Sequence, residues 1–257
     1  MTPQAQPARR SRDDSTVSVI IPSYNDAVML RECLRAVNGQ FRKADEIIVV
    51  DNASEDDTSA VAREAGAAVV LQPVRGVFPA TAAGFDAATG DILARLDADS
   101  IPPADWLERI ERRFAASEEL SVLTGPGRFY GSNRFVHWIA ERVYIGGYFW
   151  FIGLVLGHPP LFGSNLALRA STWQTVRETV HSDRGDVHDD LDLSFHIRPG
   201  MVVELDRTLV VGVSARPFES LAGLGRRLAM AYTTIRLNWQ EQSPARRRAA
   251  HRAGSGR

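Results

Sequence analysis

Two aspartates, Asp97 and Asp99, come directly after an apolar run at residues 92–96 that has the composition of a buried strand. Carboxylates two residues apart point to one side of extended backbone, and beyond the end of a strand both can turn into a cleft. Hard cations such as Mg²⁺ or Mn²⁺ commonly bind through one or two carboxylates together with the phosphates of a substrate. The pair therefore indicates a cation site for a nucleoside diphosphate, with solvated turn residues as the alternative for so short a pattern.

The elements that would position this pair can be read upstream of it. Apolar strands at residues 17–21 and 47–50 are separated by apolar residues at helical spacing between 30 and 37. The alternation continues with helices near 58–65 and 79–88 and a strand at 68–71. This order predicts an α/β fold with a mostly parallel sheet, whose ligands bind beyond the carboxyl ends of the strands. Tyr24, Asp51 and Asp97 would meet at that edge.

Five sequence blocks in a fixed order carry a resemblance to a known family. They are VSVIIPSYND, IIVVDNASEDDT, GFDAATGDILARLDADSIPPADWL, FGSNLALR and DDLDLSF, and they span roughly residues 17–198. Together they resemble the nucleotide-sugar glycosyltransferases of family 2, whose GT-A fold has a Rossmann-like, mostly parallel central sheet flanked by helices. The resemblance implies inverting, metal-dependent transfer of a sugar from a nucleoside diphosphate, UDP being favoured, to an acceptor hydroxyl, with Mg²⁺ or Mn²⁺ as cofactor.

The resemblance also implies a donor site, position by position. Pro22 and Tyr24 match the turn that lies against the nucleotide base, and Asp51 matches a carboxylate that hydrogen-bonds the base edge. The alternative for Tyr24 is a turn residue packed on the first helix, and the alternative for Asp51 is a cap of the following turn. Asp97 and Asp99 match the metal motif, in which the second carboxylate contacts the cation most directly.

The block at residues 188–193 matches the acidic motif that holds the general base. The resemblance implies that Asp190 is this base, with Asp189 or Asp192 as substitutes. Neighbouring acids would raise the pKa of Asp190 and a helix N-terminus would lower it, so its direction stays open. The acids are alternatively a plain acidic first turn of a helix. The segment implied to lie near the donor sugar and the acceptor is Gly163, Ser164 and Asn165.

The chain departs from the family pattern in two places. Many members carry an Arg-Asn pair before the strand that leads to the metal motif, whereas residues 80–84 carry no cation. Arg75 is the candidate for a phosphate contact instead, with an exposed loop arginine as the alternative. Arg236 and Trp239 do not meet the Gln-x-x-Arg-Trp motif of processive synthases, so a non-processive enzyme that adds one sugar is expected.

Composition is that of an ordinary globular enzyme, with 257 residues and a formal net charge of −1. We expect a loose polar arm at 1–16 without a secretory signal, a nucleotide-sugar half at 17–127 and a catalytic, acceptor-binding half at 128–215. A C-terminal helical extension at 216–257 would hold an amphipathic helix and a basic tail. The single Cys33 is expected in the core. The Cys and His residues lack the spacing of a zinc motif. Neither a nucleic-acid partner nor a P-loop is expected. A cytoplasmic location follows as the default.

Two segments raise a membrane question. Residues 221–239 are apolar at helical spacing, and eight arginines face one glutamate from residue 226 onward. This helix either lies on the inner face of an anionic membrane or packs on the body with a solvated tail. The uncharged, aromatic stretch 143–156 is shorter than the roughly 20 residues that a spanning helix needs, and is either core or the groove of a lipid-linked acceptor.

Two other functions remain open. The chain could be an inactive family member that only binds a nucleotide sugar or a membrane partner. It could also be a nucleotidyltransferase of similar fold, although such enzymes want a Gly- and Arg-rich loop after the first strand, which residues 23–28 lack.

Overall fold

Strands and helices alternate along the part of the chain that the computed structural model describes, residues 15–130, 152–216, 221–241 and 243–254. The strands are β1 (Val17–Ser23), β2 (Glu46–Asp51), β3 (Ala68–Leu71), β4 (Ile92–Arg95), β5 (Leu120–Thr124), β6 (Gly127–Tyr130), β7 (Leu166–Arg169), β8 (Val202–Leu205) and β9 (Val211–Ser214). The helices are α1 (Ala27–Asn38), α2 (Thr58–Glu64), α3 (Val77–Ala87), α4 (Trp106–Ala116), α5 (Ala170–Val176), α6 (Asp189–His196), α7 (Leu221–Glu241) and α8 (Pro244–Gly254). The predicted elements up to β4 are confirmed to within about two residues at each end.

The main sheet has seven strands in the order β3-β2-β1-β4-β7-β5-β8, and β6 pairs with β9 in a second, two-stranded sheet. The strands β1 to β4 are mutually parallel, and β7 alone runs antiparallel between β4 and β5. The prediction of an α/β fold with a mostly parallel central sheet is therefore confirmed. Since β1, β2 and β4 all end at one edge, the residues that follow them share that edge.

Helices cover both faces of this sheet, which is why its central strands are mostly apolar. On one face α1 buries Leu30, Cys33, Leu34 and Val37, the helical spacing that the sequence predicted. On the other face α3 lies so close to β1 that a methyl group on Gly84 would be 2.4 Å from the Cγ2 atom of Ile20. The core position expected for Cys33 is confirmed.

The C-terminal helices α7 and α8 form the expected helical extension, and α7 packs through a face that is both polar and apolar. Thr234 and Asn238 are buried, while Leu228 and Tyr232 are 59% and 68% exposed and Trp239 is also exposed. The Thr234 hydroxyl accepts a hydrogen bond from the backbone N–H of His188 at 3.0 Å. Of the predicted apolar stripe, Ile235 packs against a small apolar cluster that includes Leu191 and Phe195 of α6, whereas Leu228, Tyr232 and Trp239 are exposed. Only part of the stripe therefore contacts the body.

The described part of the basic tail is solvated only in part, since Arg246 and Arg248 are exposed and Arg247 is not. Arg247 in α8 is buried, and its guanidinium donates to the backbone carbonyls of Ser194 and Ile197 at 3.0 and 3.2 Å. These carbonyls close the C-terminal end of α6 and lack partners within the helix, so a cation there is favourable. Of the apolar stretch 143–156, residues 143–151 lie outside the described residues, and Ile152 and Leu156 pack against α6. Among the described helices, none combines the length and the hydropathy needed to span a bilayer.

Candidate active site

A buried arginine stands at the centre of the acidic cluster beyond β4. The Nη2 atom of Arg95 lies 2.8 Å from Oδ1 of Asp97 and 2.9 Å from Oδ2 of Asp189, and the side chain is 2% exposed. Although burial alone would lower it, the charges of Asp189 and Asp97 raise the pKa of Arg95. A buried charge is tolerated only when it is paired in this way. Arg95 therefore joins the end of β4 to the start of α6, which brings two distant acidic blocks together.

Asp190 lies beside this pair. One carboxylate oxygen, Oδ2, accepts the backbone N–H of Gly163 at 2.9 Å, and the other, Oδ1, accepts that of Leu191 at 2.7 Å. Burial, and then the charge of Asp189, raise the pKa of Asp190 above its ordinary value of 3.8. A raised pKa brings a carboxylate closer to the range in which it accepts a proton usefully near neutral pH.

The other two acids of this helix are occupied within the protein. Asp189 is buried and, besides Arg95, its Oδ2 accepts the hydroxyl of Thr81 in α3 at 2.7 Å. Asp192 is fully buried and accepts hydrogen bonds from His181 and Asn238 at 2.8 and 2.7 Å. Of the three, only Asp190 is partly exposed. Asp190 is therefore the acid among these three that keeps an exposed surface.

Asp99 faces a different set of partners from Asp97. Arg216, just after β9, donates to Asp26 at 2.9 and 2.6 Å and to Oδ2 of Asp99 at 3.3 Å. Tyr130, at the end of β6, donates to the backbone carbonyl of Asp99 at 2.7 Å. Burial and the nearby charge of Asp97 raise the pKa of Asp99 to about 6.

These carboxylates fit a hard divalent cation. Burial is the first cause of the raised pKa of Asp99 and the charge of Asp97 the second; Arg216 offsets them only in part, and a bound cation would favour the charged form. Both side chains offer the oxygen ligands that Mg²⁺ and Mn²⁺ take. Asp97 is additionally held by the hydroxyl of Ser164, which donates to its Oδ2.

The segment at residues 163–165 has two roles in the structure. Gly163 and Ser164 contact Asp190 and Asp97, as described above. Asn165, in contrast, is fully buried, with Oδ1 accepting from the indole of Trp106 at 2.9 Å and Nδ2 donating to the carbonyl of Leu209 at 2.6 Å. The side chain of Asn165 therefore fixes the segment from behind, and it does not face the cleft as the resemblance implied.

The predicted nucleotide side contains an exposed aromatic ring covered by a cation. The guanidinium carbon of Arg75 lies 4.3 Å from the ring centroid of Tyr24, which is 44% exposed, and Arg75 also donates to the Tyr24 hydroxyl. Pro22 is buried inside β1. Asp51 accepts the backbone N–H of Ser54 at 2.9 Å and the Ser59 hydroxyl, so in this structure it caps the following turn.

Arg95 and Arg216 are the site residues that sequence reasoning missed. Arg95 did carry a signal, because it is the one charged residue in an otherwise apolar strand and stands two residues before Asp97, hence on the same side. Arg216 carried none, since it lies 117 residues from Asp99 and only the fold brings them together. Arg95 also supplies the buried cation that residues 80–84 lack.

Known proteins resemble this chain in sequence. The family model described as glycosyl transferase family 2 matches residues 18–182. The chain is 38% identical over 136 residues to an undecaprenyl-phosphate 4-deoxy-4-formamido-L-arabinose transferase of Sodalis glossinidius, a match that covers 49% of this chain and 40% of the relative. The chain spans less than half the length of the first curated relatives it matches.

Solved structures share the fold at low sequence identity. Glucosyl-3-phosphoglycerate synthase from Mycobacterium tuberculosis, in complex with Mn²⁺, UDP-glucose and phosphoglyceric acid, superposes with a TM-score of 0.59 at 20% identity, covering 88% of this chain and 80% of that one. A mannosyltransferase from Pyrobaculum calidifontis, in complex with GDP-mannose and Mn²⁺, gives a TM-score of 0.63 at 19% identity and covers 93% and 74%. At such identities the likeness shows the GT-A fold alone.

Proposed function

The chain belongs to glycosyl transferase family 2, and from this premise we propose that it transfers one sugar from a nucleoside diphosphate sugar to an acceptor hydroxyl with inversion at the anomeric carbon. The observation that carries the proposal is the Arg95 cluster, in which the donor-side Asp97 and the acceptor-side Asp189 share one guanidinium. Asp190 stands next to Asp189 on α6, so a proton acceptor and the donor-side carboxylates occupy one cleft.

Asp190 acts as the general base in this proposal. Its carboxylate takes the proton of the acceptor hydroxyl, the hydroxyl oxygen attacks the anomeric carbon, and the sugar–phosphate bond breaks with its electron pair going to the departing nucleoside diphosphate. The hydrogen bonds from the Gly163 and Leu191 N–H groups hold the carboxylate in place before the acceptor arrives. Preorganisation of this kind avoids the cost of orienting the base during the reaction.

The donor is held by groups on the other side of the cleft. Asp99, assisted by Asp97, would hold Mg²⁺ or Mn²⁺, which when bound offsets the negative charge that grows on the diphosphate. Tyr24 offers an exposed ring for the base, and Arg75 a guanidinium for a phosphate. UDP is the favoured donor nucleotide, because a UDP complex exists among the structural neighbours, although GDP also occurs there.

Thermal unfolding tests the donor site first. The protein is melted with UDP, GDP or dTDP, each with and without Mn²⁺, and the series is repeated with Asp99→Ala. A ligand at 100 times its Kd adds about 2.7 kcal/mol of stability, or several degrees. We expect a metal-dependent rise in Tm with one nucleotide that Asp99→Ala abolishes, followed by sugar transfer or release from that donor.

Two other outcomes would favour the alternative functions. Binding without any turnover would favour the inactive family member, and release of pyrophosphate from a sugar phosphate and a nucleoside triphosphate would favour the nucleotidyltransferase.

We further propose that the acceptor is lipid-linked and that α7 rests on an anionic membrane surface. Leu228, Tyr232 and Trp239 are exposed apolar residues on this helix, and Tyr and Trp favour the interface between lipid and water. A relative named as an undecaprenyl-phosphate sugar transferase supports the same idea.

Sedimentation with phosphatidylglycerol vesicles should pull down the protein, and the double variant Tyr232→Ser with Trp239→Ser should reduce the bound fraction. Phe41→Ser, at an exposed residue outside α7, is the matched control, and equal sedimentation of all three proteins would contradict the proposal.

A further inference from the structure

Two histidines and two carboxylates from three parts of the chain meet outside the Arg95 cluster. His181 lies between α5 and α6, Asp192 and His196 are one turn apart on α6, and Glu241 ends α7. One possible ligand atom each of His181, Asp192 and His196 lies within 4.8 Å of the others. None of the Cys and His spacings in the sequence indicated a metal motif, because His181 and Glu241 are 60 residues apart and only the packing of α7 on α6 joins them.

The charge balance of this cluster requires a positive partner. Asp192 is 0% exposed, and among the described residues no lysine or arginine lies within ion-pair distance of it or of Glu241. A buried carboxylate is stable only when its charge is compensated. Hydrogen bonds from His181 and Asn238 compensate part of the charge on Asp192. The positive charge that faces Asp192 and Glu241 is then either a proton on the imidazoles or a bound cation between them.

The hydrogen bonds decide which ring nitrogens are free for a ligand. Nδ1 of His196 lies 2.9 Å from the backbone carbonyl of Asp192, which can only accept, so this nitrogen carries the hydrogen. Nδ1 of His181 lies 2.8 Å from Oδ1 of Asp192 and donates to it in the same way. Both Nε2 atoms are then left with a lone pair. Histidines that bind metals are oriented by this kind of carboxylate or carbonyl contact on the other nitrogen.

Both free nitrogens point to the same carboxylate. Nε2 of His181 is 3.3 Å from Oε1 of Glu241, and Nε2 of His196 is 3.7 Å from Oε2. Ligand atoms bound at about 2.0–2.1 Å around a tetrahedral zinc ion stand roughly 3.3 Å from one another, which the first separation matches and the second exceeds by about 0.4 Å. Without a proton or a cation between them, two lone pairs would face a negative charge.

We propose that His181, His196 and Glu241 bind a divalent transition-metal ion of the zinc class, with Asp192 orienting the two imidazoles. Glu241 is 55% exposed, and a surface pocket of about 300 Å³ lined by His196, Glu241 and Arg247 adjoins the cluster. This pocket gives the ion an entry path and leaves room for water as the fourth ligand. The ion would fasten α7 to α6, the helix that also carries Asp190.

Zinc binding to the metal-stripped full-length chain tests this proposal, in an Asp99→Ala background that removes the donor-site carboxylate. Calorimetric titration should show one zinc equivalent, and Co²⁺ in its place should give the visible absorption of a four-coordinate site. Glu241→Gln should weaken zinc binding at least about 10-fold and His181→Gln about 100-fold. Zinc should also raise the Tm of the parent chain but not of Glu241→Gln. Glu178→Gln, at an exposed glutamate, is the matched control and should bind zinc like the parent.

Equal zinc affinity in the parent, Glu241→Gln and His181→Gln would overturn the proposal, as would a parent chain that binds none, because protons would then balance Asp192. Circular dichroism shows whether each variant folds. If His181→Gln does not fold, Glu241→Gln decides the question, since its side chain is half exposed and its loss leaves the core intact. The titration uses no nucleotide and no acceptor, so its failure leaves the proposed sugar transfer untouched.

Discussion

A methyl group on Gly163 would lie 2.0 Å from Nη1 of Arg95 and 3.3 Å from Oδ2 of Asp190. Because Gly163 has no side chain, the guanidinium of Arg95 fits into the space beside it. The backbone N–H of Gly163 donates a hydrogen bond to the carboxylate of Asp190, the candidate base. Gly163 therefore bears on Asp190 directly and, through Arg95, on Asp97 and Asp189, with which Arg95 forms ion pairs.

Gly163→Ala should therefore displace Arg95 and weaken its buried ion pairs. Breaking a buried pair costs about 3–5 kcal/mol, and partial movement of the arginine would keep the loss at or below that range. Urea denaturation should show a lower midpoint. Gly153→Ala is the matched control, because the nearest atoms to its methyl would be at 3.6 Å, an ordinary contact. An unchanged midpoint in Gly163→Ala would show that Arg95 is not confined by this residue.

Asp190→Asn should lower kcat by about 10²–10⁴-fold while nucleotide affinity stays the same, because the amide cannot accept the acceptor's proton. Burial and Asp189 raise the pKa of Asp190, so the wild-type rate should fall with decreasing pH at a value above 3.8, as the base becomes protonated. Steady-state kinetics over pH 4–8 checks both points. Asp186→Asn, at an exposed aspartate near the start of the same helix, is the control. Near-normal turnover in Asp190→Asn would reassign the base.

Arg75→Ala should weaken nucleotide binding and leave chain stability unchanged. The proposed phosphate contact of Arg75 is a hydrogen bond to a charged group, worth about 1.5–3 kcal/mol, so its loss should raise the nucleotide Kd by about 10- to 100-fold. Titration of UDP in the presence of Mn²⁺ measures this. Arg31→Ala removes an arginine that pairs with Glu64 on the surface and should bind the nucleotide like wild type. Equal affinities would mean that Arg75 covers Tyr24 without touching the donor.

Asp99→Asn should stabilise the metal-free chain at neutral pH. The folded-state pKa of Asp99 is raised to about 6 from 3.8, so its charged form costs folding free energy above pH 6, and the cost fades as the pH falls from 6 toward 3.8. We expect a gain on the order of 1–3 kcal/mol at pH 7.5 in EDTA that shrinks at pH 5. Urea denaturation at both pH values tests it. A variant that is less stable than wild type at pH 7.5 would show that the contact with Arg216 outweighs the repulsion from Asp97.

The local sequence pattern was sufficient to predict the strands and helices that form the framework of this protein. Strands β1, β2 and β4 are mostly apolar and end in polar turns. The spacing of Leu30, Cys33, Leu34 and Val37 is that of one face of a helix. The position of Asp97 and Asp99 beyond a buried strand also follows from the sequence, because the end of an apolar run marks the end of the strand. Family membership came from the order of the five blocks.

The pairing of charges could not be predicted, because it depends on contacts between residues far apart in the chain. Arg95 reaches Asp189 across 94 positions. Helix α7 contacts the body through Thr234 and Asn238 as well as through part of its apolar stripe, and these hydrogen bonds are available only after both helices are placed. Sequence alone therefore determined which residues could do chemistry and which strands carry them. Only the tertiary structure decided which acids are neutralised internally and which one is left facing the cleft, since burial and ion pairing are properties of the packed chain.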